Sequence, residues 1–343
     1  MNKRIFIVAF FAFLFLAGSV YAAIGITELR TEQLKNPLGI DVRQPRLGWR
    51  IESDEQNVMQ TAYHILVASS ADLLAQGKGD IWDSGKIESD ASQWIAYQGK
   101  PLKRNARYYW KVKVYTNRGE ADWSAPAFWS MGLLNEADWQ GQWIGLDRAA
   151  PGDSETQWSR LAARYLRKEF ALSREVKRAT VHIAGMGLYE LFINGQRIGD
   201  QVLAPAPTDY RKTILYNTYD VTPQLRKENA IGVTLGNGRF YTMRQNYKPY
   251  KIPTFGYPKL RLNLIVEYMD GSKETIATNT SWKLTTEGAI RSNNEYDGEE
   301  YDARKELGNW TQSGYDDKSW IAAQRVSIPS GTLRAQMMPG MKV

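Results

Sequence analysis

The densest run of side chains able to do chemistry is Glu295, Asp297, Glu299, Glu300 and Asp302, carboxylates packed into one short stretch. Carboxylates so spaced can divide acid and base work, hold a hard cation such as calcium through oxygen ligands, or cap turns and pair with bases. If the stretch is extended, Glu300 and Asp302 share one face while Glu299 and Tyr301 take the other. Arg304 then stands where Asp302 can hold it, and the structural, ligand-holding and catalytic readings all remain open.

A second segment, Arg239 to Lys259, combines five bases (Arg239, Arg244, Lys248, Lys251, Lys259) and six aromatics (Phe240, Tyr241, Tyr247, Tyr250, Phe255, Tyr257) with no acid. Aromatic faces stack on sugar rings and bases attract carboxylates, so the segment suits a uronate-bearing polysaccharide. Stacking plus charge also suits single-stranded nucleic acid, which export argues against, and a loop docked on another domain has the same makeup. Other chemistries are closed by composition. There is no Cys, and the two His, His64 and His182, fall in separate strand-like segments and are expected to complete strand faces. Thiol catalysis, thiolate metal sites, disulfides and His-based triads are therefore excluded. No phosphate loop, dinucleotide fingerprint or nucleophile elbow occurs, and Asn279-Thr-Ser and Asn309-Trp-Thr match a glycosylation pattern that chance explains.

The elements that must position these residues come from a chain of 343 residues, 43% hydrophobic and 12% aromatic, enough for two or three packed domains. Lys3 and Arg4 precede an apolar run from Ile5 to Ala17 and the small-residue pattern of Val20-Tyr21-Ala22. Residues 1–22 read as a secretory signal peptide, with an apolar core shorter than the roughly 20 residues a membrane span needs, which places the mature protein in the periplasm or outside the cell. Its removal lowers the formal net charge of +7 by two, a mild surplus. No later segment is apolar enough to span a membrane.

Period-two alternation recurs along the chain between Gly, Asn, Asp and Pro turns, which predicts an all-β fold of two tandem β-sandwiches. Short helices are expected only at Ser70 to Leu74 and after Thr222-Pro223, with Thr222 as the cap. Over residues 24–134 the strands Leu47–Ile51, Ala62–Ala68, Trp94–Gln98, Arg107–Tyr115 and Ala127–Met131 suggest a seven-stranded sandwich. Leu102, six residues before Tyr108 at the head of an alternating strand, then Asn117-Arg-Gly119 and Trp123-Ser124, resembles the last two strands of a fibronectin type III domain. That likeness makes Tyr108 the corner tyrosine, bonded back to the preceding loop. Alternation puts Tyr109 opposite Tyr108 and Trp110, so core packing rather than a sugar-stacking stripe is expected. Over residues 135–328 a strand at Ala179–Ala184, a hairpin from Leu188–Ile193 through Asn194-Gly195, and another from Leu260–Tyr268 through Asp270-Gly271 into Glu274–Ala277 predict a jelly roll with long loops at one end.

The second unit carries Arg164-Tyr-Leu-Arg-Lys-Glu-Phe170, Gly187-Leu-Tyr-Glu-Leu-Phe-Ile-Asn194-Gly195, Thr208-Asp-Tyr210-Arg211, Tyr216-Asn-Thr-Tyr219-Asp220-Val221-Thr222, Leu235-Gly-Asn-Gly238 and Gly298-Glu-Glu-Tyr301-Asp302-Ala303-Arg304, then Trp310, Gly314-Tyr-Asp316-Asp317 and Trp320. In this order, after the first sandwich, they resemble the non-catalytic N-terminal half of bacterial α-L-rhamnosidases of glycoside hydrolase family 78. The resemblance implies hydrolysis of terminal α-L-rhamnose from plant polysaccharides or glycosides by inversion, in a parent whose catalytic (α/α)6 barrel is missing from this chain. Residues 329–343 then look like the start of a following β-domain. Inverting carboxylates stand about 6.5 to 9.5 Å apart across the sugar, and no catalytic residue is assigned here.

Sugar-binding relatives, by the same resemblance, carry an Asp-Asn pair that helps hold calcium and rhamnose, where this sequence reads Met186-Gly187. No cofactor is expected, with calcium the one metal worth testing. A substrate-binding site is expected at Asn237, Arg239, Tyr241, Asp209, Tyr210 and Glu299, in loops flanking strands that should converge at one end. The alternatives are a free-standing periplasmic carbohydrate-binding protein and a ligand-free spacer. A strand at Met337–Val343 is expected to be an unpaired edge that drives self-association.

Overall fold

The computed structural model describes residues 24–148, 161–242 and 255–342. The expected leader lies outside these residues, as do Arg244, Tyr247, Lys248, Tyr250 and Lys251 of the basic-aromatic segment. The described fold is nearly all β, in two packed sandwiches.

The first sandwich is organised by the strand Arg107–Thr116, in which Tyr108, Trp110, Val112 and Val114 are buried while the residues between them are half-buried. It pairs antiparallel with Gln60–Ala68 on one side and Ala127–Ser130 on the other. Trp82–Glu88 and Gly119–Glu120 complete a five-stranded sheet, which faces a three-stranded one made of Gly25–Thr31, Arg46–Glu52 and Ile95–Ala96. Between them lie Trp49, Trp110 and Trp129, all fully buried. Each ring removes about 200 Å² from water, on the order of 5 kcal/mol as an upper estimate. The Tyr108 hydroxyl accepts the Lys103 N–H at 2.8 Å, so the corner tyrosine is where the resemblance put it. Tyr109 packs beside Phe128 on the opposite face, ring centroids 6.2 Å apart. The sandwich has eight strands rather than seven, and the strand expected over Trp94–Gln98 shrinks to Ile95–Ala96. Trp94 has φ +61°, a left-handed backbone that cannot extend a ladder, and its ring lies under the Arg46 guanidinium at 4.4 Å. Of the two expected helices, Ser70 caps Ala71–Ala75 by accepting from Leu73. Thr222 does not cap the second. It is the first residue of a 3-10 turn, and its hydroxyl accepts the Ala179 N–H and donates to Asp220.

The second sandwich has a six-stranded sheet in the order Gln196–Arg197, Leu188–Ile193, Glu228–Gly236, Arg164–Ala171, Lys283–Thr285, Ile321–Ala322. Opposite it, Lys259–Tyr268 and Val176–Met186 form the centre of a seven-stranded sheet, with Thr213–Asp220 and then Thr332–Ala335 at one side. Leu260, Leu262, Leu264 and Val266 face the shared core with Val181, Ile183, Val233 and Leu235. The chain passes from one sheet to the other at Gly187, whose φ is +124°. A Cβ there would stand 2.1 Å from the Gly236 carbonyl oxygen, so only glycine fits. Both expected hairpins form, and positive φ at Asn194 and Gly195 gives the tight turn of the first. The C-terminal strand differs from expectation. Thr332–Ala335 pairs in parallel with Thr213–Tyr216, and Met341–Lys342 pairs with Gln201–Val202, so the expected unpaired edge is satisfied within the chain.

The sandwiches dock through polar groups buried by their contact. The Tyr216 hydroxyl accepts from Leu133 N–H and donates to Leu133 O, and Arg178 donates to the Asn105 carbonyl at 2.7 Å. His182 is fully buried between Thr218 Oγ1 at 2.9 Å and Asn105 Oδ1 at 3.1 Å. His64 instead sits on Gln60–Ala68 in the first sandwich, with Nε2 2.6 Å from Asp83.

Candidate functional site

One end of the jelly roll opens into a cleft of about 570 Å³. The outward face of Leu188–Ile193 supplies Leu188 and Glu190, since alternation commits Tyr189, Leu191 and Ile193 to the core. The hairpin of Ile290–Asn294 with Gly298–Tyr301 supplies Asn293, Glu299 and Tyr301, and Leu203 closes a further wall. Gly236 and Gly238 form the floor, where a Cβ would lie 2.7 Å from Asn293 Oδ1 and from Leu188 Cγ respectively. Leu203 and Tyr301 are each 56% exposed, so the rim offers uncovered apolar surface to a ligand. Burial, followed by the charge of Glu190, pushes the Glu299 carboxyl above its ordinary pKa. The cleft thus sets apolar side chains among carboxylate and amide groups. That pairing can accept hydrogen bonds from hydroxyls while packing against C–H surface.

Of the six residues expected to bind substrate, Glu299 lines this cleft and the other five are not among its lining residues. Asn237 lies behind the floor, 2% exposed, and its side-chain amide donates to the carbonyls of Leu161 and Asn293. Asn237 Oδ1 and Asn293 Nδ2 have no hydrogen-bond partner among the described residues. Arg239 is half-exposed, reaching the Tyr296 hydroxyl at 3.3 Å and Glu295 at 3.5 Å. Tyr210 is buried in a cluster with Phe240 and Phe255, and its hydroxyl is pushed up to about 12, by burial first and then by Glu295. Tyr241 is stacked on Tyr257 with centroids 5.7 Å apart, and Asp209 pairs with Arg211 at 3.0 Å on the surface. The described aromatics of the basic segment therefore pack against one another and against Tyr210.

The acid run disperses into local roles. Asp302 takes Arg304 through both oxygens at 2.8 and 2.9 Å, which holds its carboxyl down at about 2, and it caps the turn Ala303–Lys305. Asp297 accepts from Asn294, Glu300 from Ser292, and Glu295 faces Arg239. Among the described residues no group of three or more His, Asp or Glu side chains is placed to hold a metal ion. At Met186-Gly187 the Met side chain is core and the Gly admits none, so neither position presents a calcium ligand. Sequence reasoning missed Glu190, Asn293, Leu203 and Tyr301. Strand alternation within Gly187–Gly195 was the signal for Glu190; Leu203, at φ +55° outside any strand, had none.

An immunoglobulin-like sandwich docked on a jelly roll, with a cleft lined mainly by strands of the jelly roll, defines a tandem β-sandwich region. Residues 26–135 match the Rha78A-like N-terminal immunoglobulin domain, and residues 174–343 match the alpha-L-rhamnosidase N-terminal domain. The chain belongs to the α-L-rhamnosidase family as its N-terminal domains. An α-L-rhamnosidase of Formosa agariphila is 40% identical over 327 residues, 90% of this chain and 34% of that protein. The solved α-L-rhamnosidase of Dictyoglumus thermophilum superposes with TM-score 0.83 at 39% identity, over 92% of this chain and 35% of that one. The Streptomyces avermitilis α-L-rhamnosidase, solved in complex with L-rhamnose, gives TM-score 0.81 at 25% identity, over 90% and 46%. The chain spans about a third of the length of the two Formosa agariphila α-L-rhamnosidases it matches.

Proposed function

We propose that this chain is the accessory, carbohydrate-engaging N-terminal region of an exported α-L-rhamnosidase that removes terminal α-L-rhamnose from plant polysaccharides or glycosides. The relatives are about three times longer, and the proposal assigns the hydrolytic carboxylates to the part of them beyond the matched third. The leader read at residues 1–22 is what supports export to the periplasm or beyond.

The observation that carries the binding role is the end cleft, whose lining combines Leu188 and Leu203 with Glu190, Asn293 and Glu299. A 6-deoxy sugar has one apolar edge, its methyl, and several hydroxyls, which suits a lining that mixes apolar side chains with hydrogen-bond acceptors. Calorimetric titration of the full chain with L-rhamnose, with and without calcium, tests it beside an aryl-rhamnoside hydrolysis assay. Calcium-independent binding without hydrolysis is expected. Turnover of the aryl-rhamnoside would overturn the assignment of the hydrolytic acids, and an absence of binding would reduce the region to a scaffold.

A further inference from the structure

A second cleft, of about 960 Å³, opens where the two sandwiches meet and shares no lining residue with the first. Its jelly-roll wall carries Lys177, Arg178 and Lys273, and its immunoglobulin-like wall carries Lys100, Lys103 and Arg107. The carboxylates in the same space are mostly committed. Asp220 is bonded to Arg107 at 2.7 Å and to Thr222 at 2.6 Å, and Asp80 accepts both the N–H and the hydroxyl of Ser69. Glu267 is the shared partner of Lys177, Arg178 and Lys273, at 3.4 to 3.5 Å from each. Three cations on one carboxylate leave a positive surplus, and contacts of that length leave most of the ammonium donors unspent. Lys103 makes no side-chain hydrogen bond or ion pair among the described residues, while Asp72 is an exposed carboxylate of the same lining. Pro101, Pro223 and the half-buried Tyr109 add apolar faces between the charges.

We infer that this interdomain cleft binds the anionic groups of an acidic polysaccharide. Two walls of opposed cations about an apolar floor suit a chain whose sugar rings carry repeated negative charge, as uronate carboxylates or as sulfate esters. Because the walls belong to different sandwiches, occupancy spans the junction that Arg107–Asp220 and Arg178–Asn105 already hold.

Affinity electrophoresis of the full chain through gels containing polygalacturonate, a sulfated galactan or a neutral galactan tests the inference. Retardation by at least one of the anionic polymers and not by the neutral one is expected, and the polymer that retards more identifies the anion. The double variant Lys177→Ala/Lys273→Ala should weaken retention roughly tenfold, the scale of two solvent-screened charge contacts together. Charge reversal, K177E/K273E, should abolish it. The control Lys227→Ala/Lys318→Ala, of equal charge loss outside the cleft, should leave retention unchanged. Equal losses in the two alanine pairs, retention by neutral galactan, or no retention by either anionic polymer overturns the inference. Glu299→Gln should leave polyanion retention intact, so a failure at the end cleft is read separately by L-rhamnose titration.

Discussion

Asn237 holds Asn293 through two donations: the Asn237 N–H donates to Asn293 Oδ1 at 2.6 Å, and Asn237 Nδ2 donates to the Asn293 carbonyl at 2.8 Å. The pair ties the turn after Glu228–Gly236 to the hairpin strand Ile290–Asn294, and so sets the distance between the floor of the end cleft and its acidic edge. Asn237→Ala leaves the carbonyls of Leu161 and Asn293 without their buried donor. A loss of about 2 kcal/mol is expected by urea denaturation, with weaker L-rhamnose binding in a sample still folded by circular dichroism. Unchanged stability would mean that water replaces the amide.

Glu299 gives a test of opposite sign. Its carboxyl is raised by burial and by Glu190, so folding favours its protonated form. The folded state then binds a proton more tightly than the unfolded one, and stability falls as pH rises through the ordinary glutamate range toward the raised folded value. Glu299→Gln should raise the melting temperature slightly at pH 7 and leave it unchanged at pH 3.5, while L-rhamnose affinity falls because an acceptor becomes partly a donor. A variant that binds L-rhamnose as tightly as the parent would show that Glu299 only lines the cleft.

Much of this architecture can be read from the residues, and the reason differs by place. Alternation at Tyr108, Trp110, Val112 and Val114 forces one face inward, and Asn194-Gly195 permits little but a tight hairpin turn. The cleft is less legible because its walls come from segments as far apart as Leu188, Leu203 and Glu299, and nothing local records their meeting. Asn237 and Tyr210 stand in loops and have polar ends, yet long-range contacts turn both inward, toward Asn293 and toward Phe240 and Phe255. Loop position indicates exposure only where no later strand or loop folds over it.

Gly187 predicts how the site resists conversion. Its φ of +124° and the 2.1 Å approach to Gly236 O exclude a side chain at the crossing between sheets. Met186→Asp/Gly187→Asn, which restores an Asp-Asn pair in sequence, should therefore gain no calcium affinity by calorimetry and should lose more than about 3 kcal/mol of stability from strain and a buried charge. Calcium binding by a folded double variant would show that the Gly236 turn can move aside.

His182 makes the junction between the sandwiches sensitive to acid. Burial, aided by the Arg178 charge, lowers its pKa to about 3, so the ring is neutral where it bridges Thr218 and Asn105. An unfolded histidine takes a proton near pH 6.5, so the contribution of this bridge is complete above that value and is lost as pH falls toward 3. The slope can reach about 1.4 kcal/mol per pH unit. Urea denaturation at pH 7, 5 and 4 should show that loss in the parent. In His182→Leu the loss should be smaller, because the unfolded chain gains no imidazolium. The variant should start about 1 to 3 kcal/mol lower at pH 7, since Asn105 Oδ1 and Thr218 Oγ1 lose their shared partner. Parallel pH profiles for the two proteins would place the acid sensitivity elsewhere, with Asp138 and Asp220 as the next groups to test because each is held below its ordinary pKa against burial, Asp138 by Arg104 and Asp220 by Thr222 and then Arg107.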